Sequence, residues 1–134
     1  NNTPIDIYNN GNMYRDFTYI DDIVKGIYLL INKIPNKKQI GKYKNDSLSN
    51  VAPFRILNIG NSKKVLLLNF LKEIEHRLNK KSIRKYLPLQ KGDVKKTLSN
   101  INLLKSLTKY NPITNYKKGI EEFIKWYKDY YKIS

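Results

Sequence analysis

Short apolar runs that alternate with helical patterns predict an α/β fold for this chain. Three observations carry that prediction. Ile5, Ile7 and Tyr8 form an extended run, followed by a turn, a second extended run and a helix pattern. Phe54 to Ile59 is a strongly apolar strand, and a stripe at helical spacing follows it. A last short strand precedes two further helix patterns. With 134 residues the chain fits one ordinary domain and can bury a real core. No internal repeat and no domain boundary is visible.

Each element has a local reason. Pro4 to Tyr8 reads as a strand, and Asn9-Asn10-Gly11-Asn12 as a turn, because Asn and Gly tolerate positive φ. Tyr14 to Ile20 is extended again. Asp21 or Asp22 then suits a helix N-cap. Ile23, Ile27, Leu30, Ile31 and Ile34 follow at helical spacing until Pro35 stops the helix. Residues 36–53 form a long polar loop containing Gly41 and Pro53, long enough to be functional or mobile. After the strand ending at Gly60, Leu67, Phe70, Leu71, Ile74 and Leu78 make one face of a second helix. Ser82 to Leu87 reads as a strand halted by Pro88, and Gln90-Lys91-Gly92-Asp93 as a turn. Asn100 caps a short helix with Ile101, Leu104 and Leu107. Thr114 caps the last helix, whose Ile120, Phe123, Ile124, Tyr127 and Tyr131 have the period of a core face, with Trp126 beside them.

Composition narrows the function. There is no cysteine, so disulfides and thiolate metal sites are excluded. A single histidine, His76, follows Glu75 on a helix pattern and reads as a solvated surface group. No apolar run approaches the ~18 residues of a membrane span. Asn1-Asn2-Thr3-Pro4 lacks the basic and apolar regions of a signal peptide, and no initiator Met is present, so an excised fragment is expected. The net charge of +15 has two readings: a nucleic-acid or anionic-membrane partner, or a merely basic surface from biased composition. Lys outnumbers Arg 22 to 4 and is spread over nearly every segment, which favours the second reading. No glycine-rich phosphate cradle is present, since Gly60-Asn61-Ser62 is not G-x-G-x-x-G. Asp16, Asp21 and Asp22 are better read as helix-capping and backbone-holding groups than as a metal or acid/base cluster.

Five runs, in order, resemble a known family. Arg15-Asp16-Phe17, with Ile20 and Asp22 following, is similar to the R-D-F-x-x-(V/I)-x-D pattern of extended short-chain dehydrogenases, the nucleotide-sugar epimerases and dehydratases. Pro4 to Asn9 resembles the family's PIxVY strand. Pro53 to Asn61 resembles P-(Y/F)-R-(V/I)-x-N-I-G-N, and Leu87 to Val94 resembles LP-(M/L)-Q-P-G-D-V. Phe123 to Tyr131 resembles F-V-x-W-Y-R-D-(Y/F)-Y. Together they are most similar to UDP-glucuronate 4-epimerases and related epimerases of capsule and lipopolysaccharide pathways. Lys91, Leu98 and Asn100 depart from the pattern, at positions where relatives carry Pro, an aromatic and Asp.

The resemblance implies roles residue by residue. Asp6, Ile7 and Tyr8 would line a uracil pocket, with Tyr8 stacking on the base; the competing reading is an ordinary strand. Arg15 would fork onto the diphosphate, against a surface ion pair. Asn58 would face the nucleotide, against capping the following turn. Asp93 would accept from ribose hydroxyls, against bonding its own turn. The family's chemistry needs a Tyr with Lys four residues on, and no tyrosine of this chain has that partner.

The fold implied is the C-terminal substrate-binding portion of an extended short-chain dehydrogenase, spanning 1–134, with a mobile loop near 36–53 and the Rossmann core missing. NAD is expected to be bound, in the complete enzyme, by the missing N-terminal domain. The implied reaction on a UDP-sugar is transient oxidation at C4, rotation of the keto-sugar and hydride return to the other face. The complete enzyme would be cytoplasmic and free of metal and could form a homodimer, and the fragment alone would be inactive. Exposed apolar surface is expected where a further part packs. The alternative is a small basic nucleic-acid-binding domain.

Overall fold

The computed structural model describes residues 3–133. Asn1, Asn2 and Ser134 lie outside them, as does that part of the leader reading which rests on Asn1 and Asn2. In chain order the elements are β1 (Ile5–Ile7), β2 (Tyr14–Asp16), α1 (Ile20–Leu30), β3 (Lys64–Leu66), α2 (Leu67–Leu78), β4 (Arg84–Tyr86), α3 (Asn102–Thr108) and α4 (Tyr116–Tyr131). They gather into two compact units. The first comprises the described residues through Phe17, Lys63–Thr97, and those from Asn115 onward. The second comprises Thr18–Ser62 and Leu98–Thr114. Each is assembled from separated stretches, so no shift in composition marks a boundary.

In the first unit β1 pairs with β4 in parallel, Ile5 opposite Arg84 and Ile7 opposite Tyr86. The connection between them includes α2, as parallel pairing requires a crossover. A strand, a helix and a parallel strand are the building unit of Rossmann-type sheets. The expectation of a substrate-binding portion devoid of such architecture is therefore corrected: this chain has a parallel strand–helix arrangement of its own. Strands of three residues are too short for their pairing direction to show in an alternating pattern. β2 and β3 pair antiparallel, Arg15 opposite Val65.

Between β1 and β2 the turn is left-handed, with φ of +49° at Asn9 and Asn10 and +77° at Gly11. A Cβ at Gly11 would stand 2.6 Å from the Leu68 side chain, so the turn is packed directly onto α2. Phe70 of α2 stacks on Phe17, with ring centroids 3.8 Å apart, and faces Tyr116 of α4 at 6.3 Å. Ile7, Met13 and Ile120 are the buried apolar side chains of this unit. Glu75 is buried near the end of α2. It accepts from Ser82 N at 3.0 Å, Ser82 Oγ at 2.5 Å and Arg84 Nη2 at 2.7 Å, tying α2 to β4. The Ser82 bonds, with the Arg84 guanidinium, hold its carboxyl down to about 2 against the opposing effect of burial.

α4 is capped by Asn115, whose side chain accepts from Lys117 N at 2.9 Å, rather than by Thr114. Beyond Ile120 the aromatic face differs from the core expected of it. Phe123, Trp126, Tyr127, Tyr130 and Tyr131 are exposed and lie against one another, with centroid separations of 4.6–6.0 Å. Helical period shows which residues share a face, and burial of that face requires a partner.

The second unit is built on α1 and α3. α1 begins at Ile20 with no side-chain cap. Asp22 is not a cap: it is buried, accepting from Tyr110 Oη at 2.8 Å and from Thr114 N at 2.9 Å. Burial alone would raise its carboxyl, but the bonds from Thr114 and Tyr110 outweigh that and hold it below its ordinary value. Burial and the Asp22 carboxylate push the Tyr110 phenol up to about 12. The helix ends at Leu30, about a turn before Pro35. Gly26 lets α1 approach Ile59, whose Cγ2 would lie 3.1 Å from an added Cβ. Ile101, Leu104, Leu107 and Pro112 are buried around α3. Asn100 Oδ1 accepts from Asn102 N at 3.0 Å, as its capping role requires.

Residues 54–59 do not form a paired strand. They keep strand alternation, with Phe54, Ile56 and Asn58 outward and Arg55, Leu57 and Ile59 inward, but no neighbour supplies a ladder. The Arg55–Asp46 ion pair helps to hold the polar loop before them. Arg55 Nε and Nη2 meet the two Asp46 oxygens at 2.8 and 3.0 Å, and Nη2 also reaches Gln39 Oε1 at 3.1 Å. The two charged side chains are 2% and 6% exposed.

Candidate functional site

Arg15 is the middle residue of β2, so its side chain leaves the sheet opposite those of Tyr14 and Asp16. A second segment runs along this strand. Tyr14 N donates to Lys95 O at 2.9 Å, Thr97 N donates to Tyr14 O at 3.1 Å, and Asp16 N donates to Thr97 Oγ1 at 3.3 Å. That segment starts from the turn at Gln90–Asp93, where Asp93 N donates to Gln90 O at 3.2 Å and Gly92 has φ +83°. The turn carries Asp93 to Arg15. Arg15 Nη2 donates to Asp93 Oδ1 at 2.8 Å, and Nη1 donates to Tyr14 O at 3.0 Å. The side chains are 26% and 31% exposed, so the guanidinium is oriented yet open to solvent. Its remaining N–H donors can take phosphate oxygens, and Lys91, Lys95 and Lys96 on the neighbouring segment add positive charge.

The sequence-predicted residues separate as follows. Asp6 is exposed on β1, and Tyr8 is half-buried where β1 enters the left-handed turn. Ile7 is 2% exposed, so its side chain is core, and only its backbone could face a ligand. Its carbonyl already accepts from Leu87 N at 2.9 Å. Arg15 and Asp93 are brought together; Asp93 Oδ1, which also accepts from Val94 N at 2.8 Å, faces the arginine. Asn58 lies in the second unit, donating to Asn100 O at 3.4 Å. It borders a cavity of about 350 Å³ with Lys44, Asn45, Leu57, Asn100 and Asn102. The sequence analysis did not single out Thr97, whose hydroxyl helps to fix β2. Among the described residues no group of three or more His, Cys, Asp or Glu could hold a metal ion, and no helix is long and apolar enough to cross a membrane.

Residues 1–60 match the NAD dependent epimerase/dehydratase family. Protein CapI of Staphylococcus aureus is 42% identical over 98% of this chain, and 40% of its own length is covered. A probable UDP-glucuronate 4-epimerase of Rhizobium meliloti is 39% identical over 98% of the chain, with 39% of its length covered. The chain thus spans about 40% of the length of these curated relatives. Among solved structures, UDP-glucuronic acid 4-epimerase of Bacillus cereus, in complex with UDP-glucuronic acid and NAD, superposes with a TM-score of 0.74. It is 23% identical, and the likeness covers 97% of this chain and 37% of that one. At that identity the likeness establishes the fold.

Two expectations are corrected by these comparisons. The epimerase/dehydratase match falls on the N-terminal half of the chain, so the reading of the whole as a C-terminal portion without a Rossmann core is not upheld. Structures carrying NAD align with 95–98% of this chain itself, so NAD is not assigned to a separate, missing domain. Among the described residues, Gly11, Gly41 and Gly92, the glycines at positive φ, form no dinucleotide cradle, however. Gly11 is filled by Leu68, while Gly41 and Gly92 are isolated turn positions with nothing within 4 Å of an added Cβ. No residue here is therefore assigned to the cofactor, and no step is derived through it.

Proposed function

We propose that this chain is the nucleotide-sugar-binding part of an NAD-dependent epimerase acting on a UDP-hexose, with UDP-glucuronate as the favoured substrate. The observation that carries the reading is Arg15, held by Asp93 and the Tyr14 carbonyl with donors left over, inside the most family-like run of the sequence. Arg15 grips the diphosphate: a guanidinium takes two phosphate oxygens where an ammonium is a point charge. Asp93 orients that guanidinium through Oδ1 and offers Oδ2 to ribose hydroxyls. Tyr8 stacks on uracil, with backbone groups of Asp6 and Ile7 at the base edge. The 42% and 39% identities over almost the whole chain support the substrate class.

The chain has no Tyr with a Lys four residues on, so by itself it does not turn over. Titrating UDP by calorimetry into the protein and its Arg15→Ala variant tests the binding role. The variant loses about 1.5–3 kcal/mol of binding free energy, the value of a charged hydrogen bond. Equal affinities would reject the phosphate role. Configurational change at C4 by the isolated chain, supplied with UDP-glucuronate and NAD, would reject the assignment of inactivity.

A further inference from the structure

Lys91 stands in the turn that carries Asp93 to Arg15, at a position where the turn itself favours another residue. Asp93 N donates to Gln90 O at 3.2 Å and Gly92 has φ +83°, as in a type II turn with Gly92 third of four. Lys91 is then the second residue. Proline is favoured there because its ring presets φ, and the family pattern carries Pro at this point. Among the described residues the Lys91 N–H donates to nothing and its ammonium has no ion pair, so proline would fit without the loss of a bond. Gln90, Lys91 and Gly92 are all exposed, and nothing lies within 4 Å of a Cβ added at Gly92. The chain thus forgoes a stiffer turn and holds a cation beside open space, two residues from the carboxylate that orients Arg15.

We propose that Lys91 is a second phosphate-binding cation of this site, which with Arg15 selects ligands carrying a diphosphate over the same nucleoside with one phosphate or none. The inference rests on the reading of Arg15 as a diphosphate-binding residue. Two residues of chain span at most about 7 Å, and the four-carbon lysine stem is flexible, so the ammonium reaches the open space before the guanidinium. The two cations divide the task by their chemistry. Arg15 is fixed by Asp93 Oδ1 and Tyr14 O, and so presents its remaining donors in a set direction. Lys91 is a mobile point charge, suited to the second phosphate of a ligand whose first is already held. Asp93 offsets only one of the two cations, so the attraction grows with the negative charge of the ligand. Lys96 is engaged elsewhere, its ammonium lying 5.6 Å from the centre of the Tyr14 ring.

Calorimetric titration of UDP, UMP and uridine into the chain and its Lys91 variants tests the proposal. Lys91→Gln and Lys91→Pro each weaken UDP binding about two- to fivefold, the strength of an exposed charge pair. Both narrow the preference for UDP over UMP and leave uridine binding unchanged, whereas Lys91→Arg keeps the UDP affinity. Lys91→Pro also raises the melting temperature, because it restricts the unfolded chain at the second residue of such a turn. Affinity that falls while stability rises is not the mark of a structural lysine. UDP binding weakened by Arg15→Ala but untouched by Lys91→Gln and Lys91→Pro would overturn this inference and leave the role of Arg15 standing. A chain that binds no UDP would overturn both. A loss equal for UDP and uridine, or one matched by Lys80→Gln, which removes the same charge from outside the turn, would also overturn it.

Discussion

At the scale of single residues, Gly11 shows how little tolerance a packed turn leaves. Its φ of +77° is costly for any residue with a Cβ, and the Leu68 side chain occupies the space that a Cβ would need. Gly11→Ala lowers the stability of the first unit by about 1–3 kcal/mol, measured by urea unfolding. Asn10, with φ +49°, is a milder case: Asn tolerates that region, and Asn10→Gly changes stability by less than about 1 kcal/mol. Arg15 was legible in sequence because it stood in a run of recognisable pattern. Its ion pair with Asp93 was not, since 78 residues separate the two and nothing local announces that the 93–97 segment lies along β2. Asp22 misled for the opposite reason. A local role, capping, was available to it, yet the structure uses its carboxylate for a tertiary bond.

At the scale of elements, side-chain clamps hold short pieces that would not persist alone. Glu75 is the clearest, linking α2 to a strand of three residues. Its folded pKa is lowered to about 2, so the stabilisation is present above its unfolded value near 4.5 and is lost as pH falls from there towards 2. A shift of that size corresponds to about 3 kcal/mol. In thermal melts, the gap between the protein and Glu75→Gln is therefore full near neutrality and closes between about pH 4.5 and 2. A gap that stays constant with pH would mean that the ionised carboxylate is not what matters. The Arg55–Asp46 clamp acts on the 36–53 loop. Asp46→Ala strands a buried guanidinium and costs about 3–5 kcal/mol, read from the denaturant midpoint. The helices α2 and α4 were legible because their periodicity is long and regular. The strand at 54–59 was legible as alternation but not as a ladder, because pairing depends on a neighbour that local sequence does not describe.

At the scale of the whole molecule, charge is the dominant property. A net +15 attracts a nucleotide diphosphate over distances beyond any contact. Raising salt from about 0.05 to about 0.5 M weakens UDP binding, and Arg15→Ala flattens that dependence, both visible in calorimetric titrations. Salt-independent binding would point to stacking on Tyr8 as the main source of affinity. The α/β class was readable from alternation of apolar runs. The division into two units was not, because each draws on both ends of the sequence and neither has a composition of its own.

The Asp22 anchor bears on how the polypeptide is made. Its partners, Tyr110 and Thr114, lie 88 and 92 residues further on, and the first unit likewise waits for α4. A ribosome has therefore released most of the chain before either unit can close. Until Tyr110 and Thr114 have been made, the nascent α1 lacks the Asp22 bonds that later hold it. Contacts so distant in sequence also slow folding after release. The interval in which a chaperone would find apolar segments uncovered thus extends almost to the last helix.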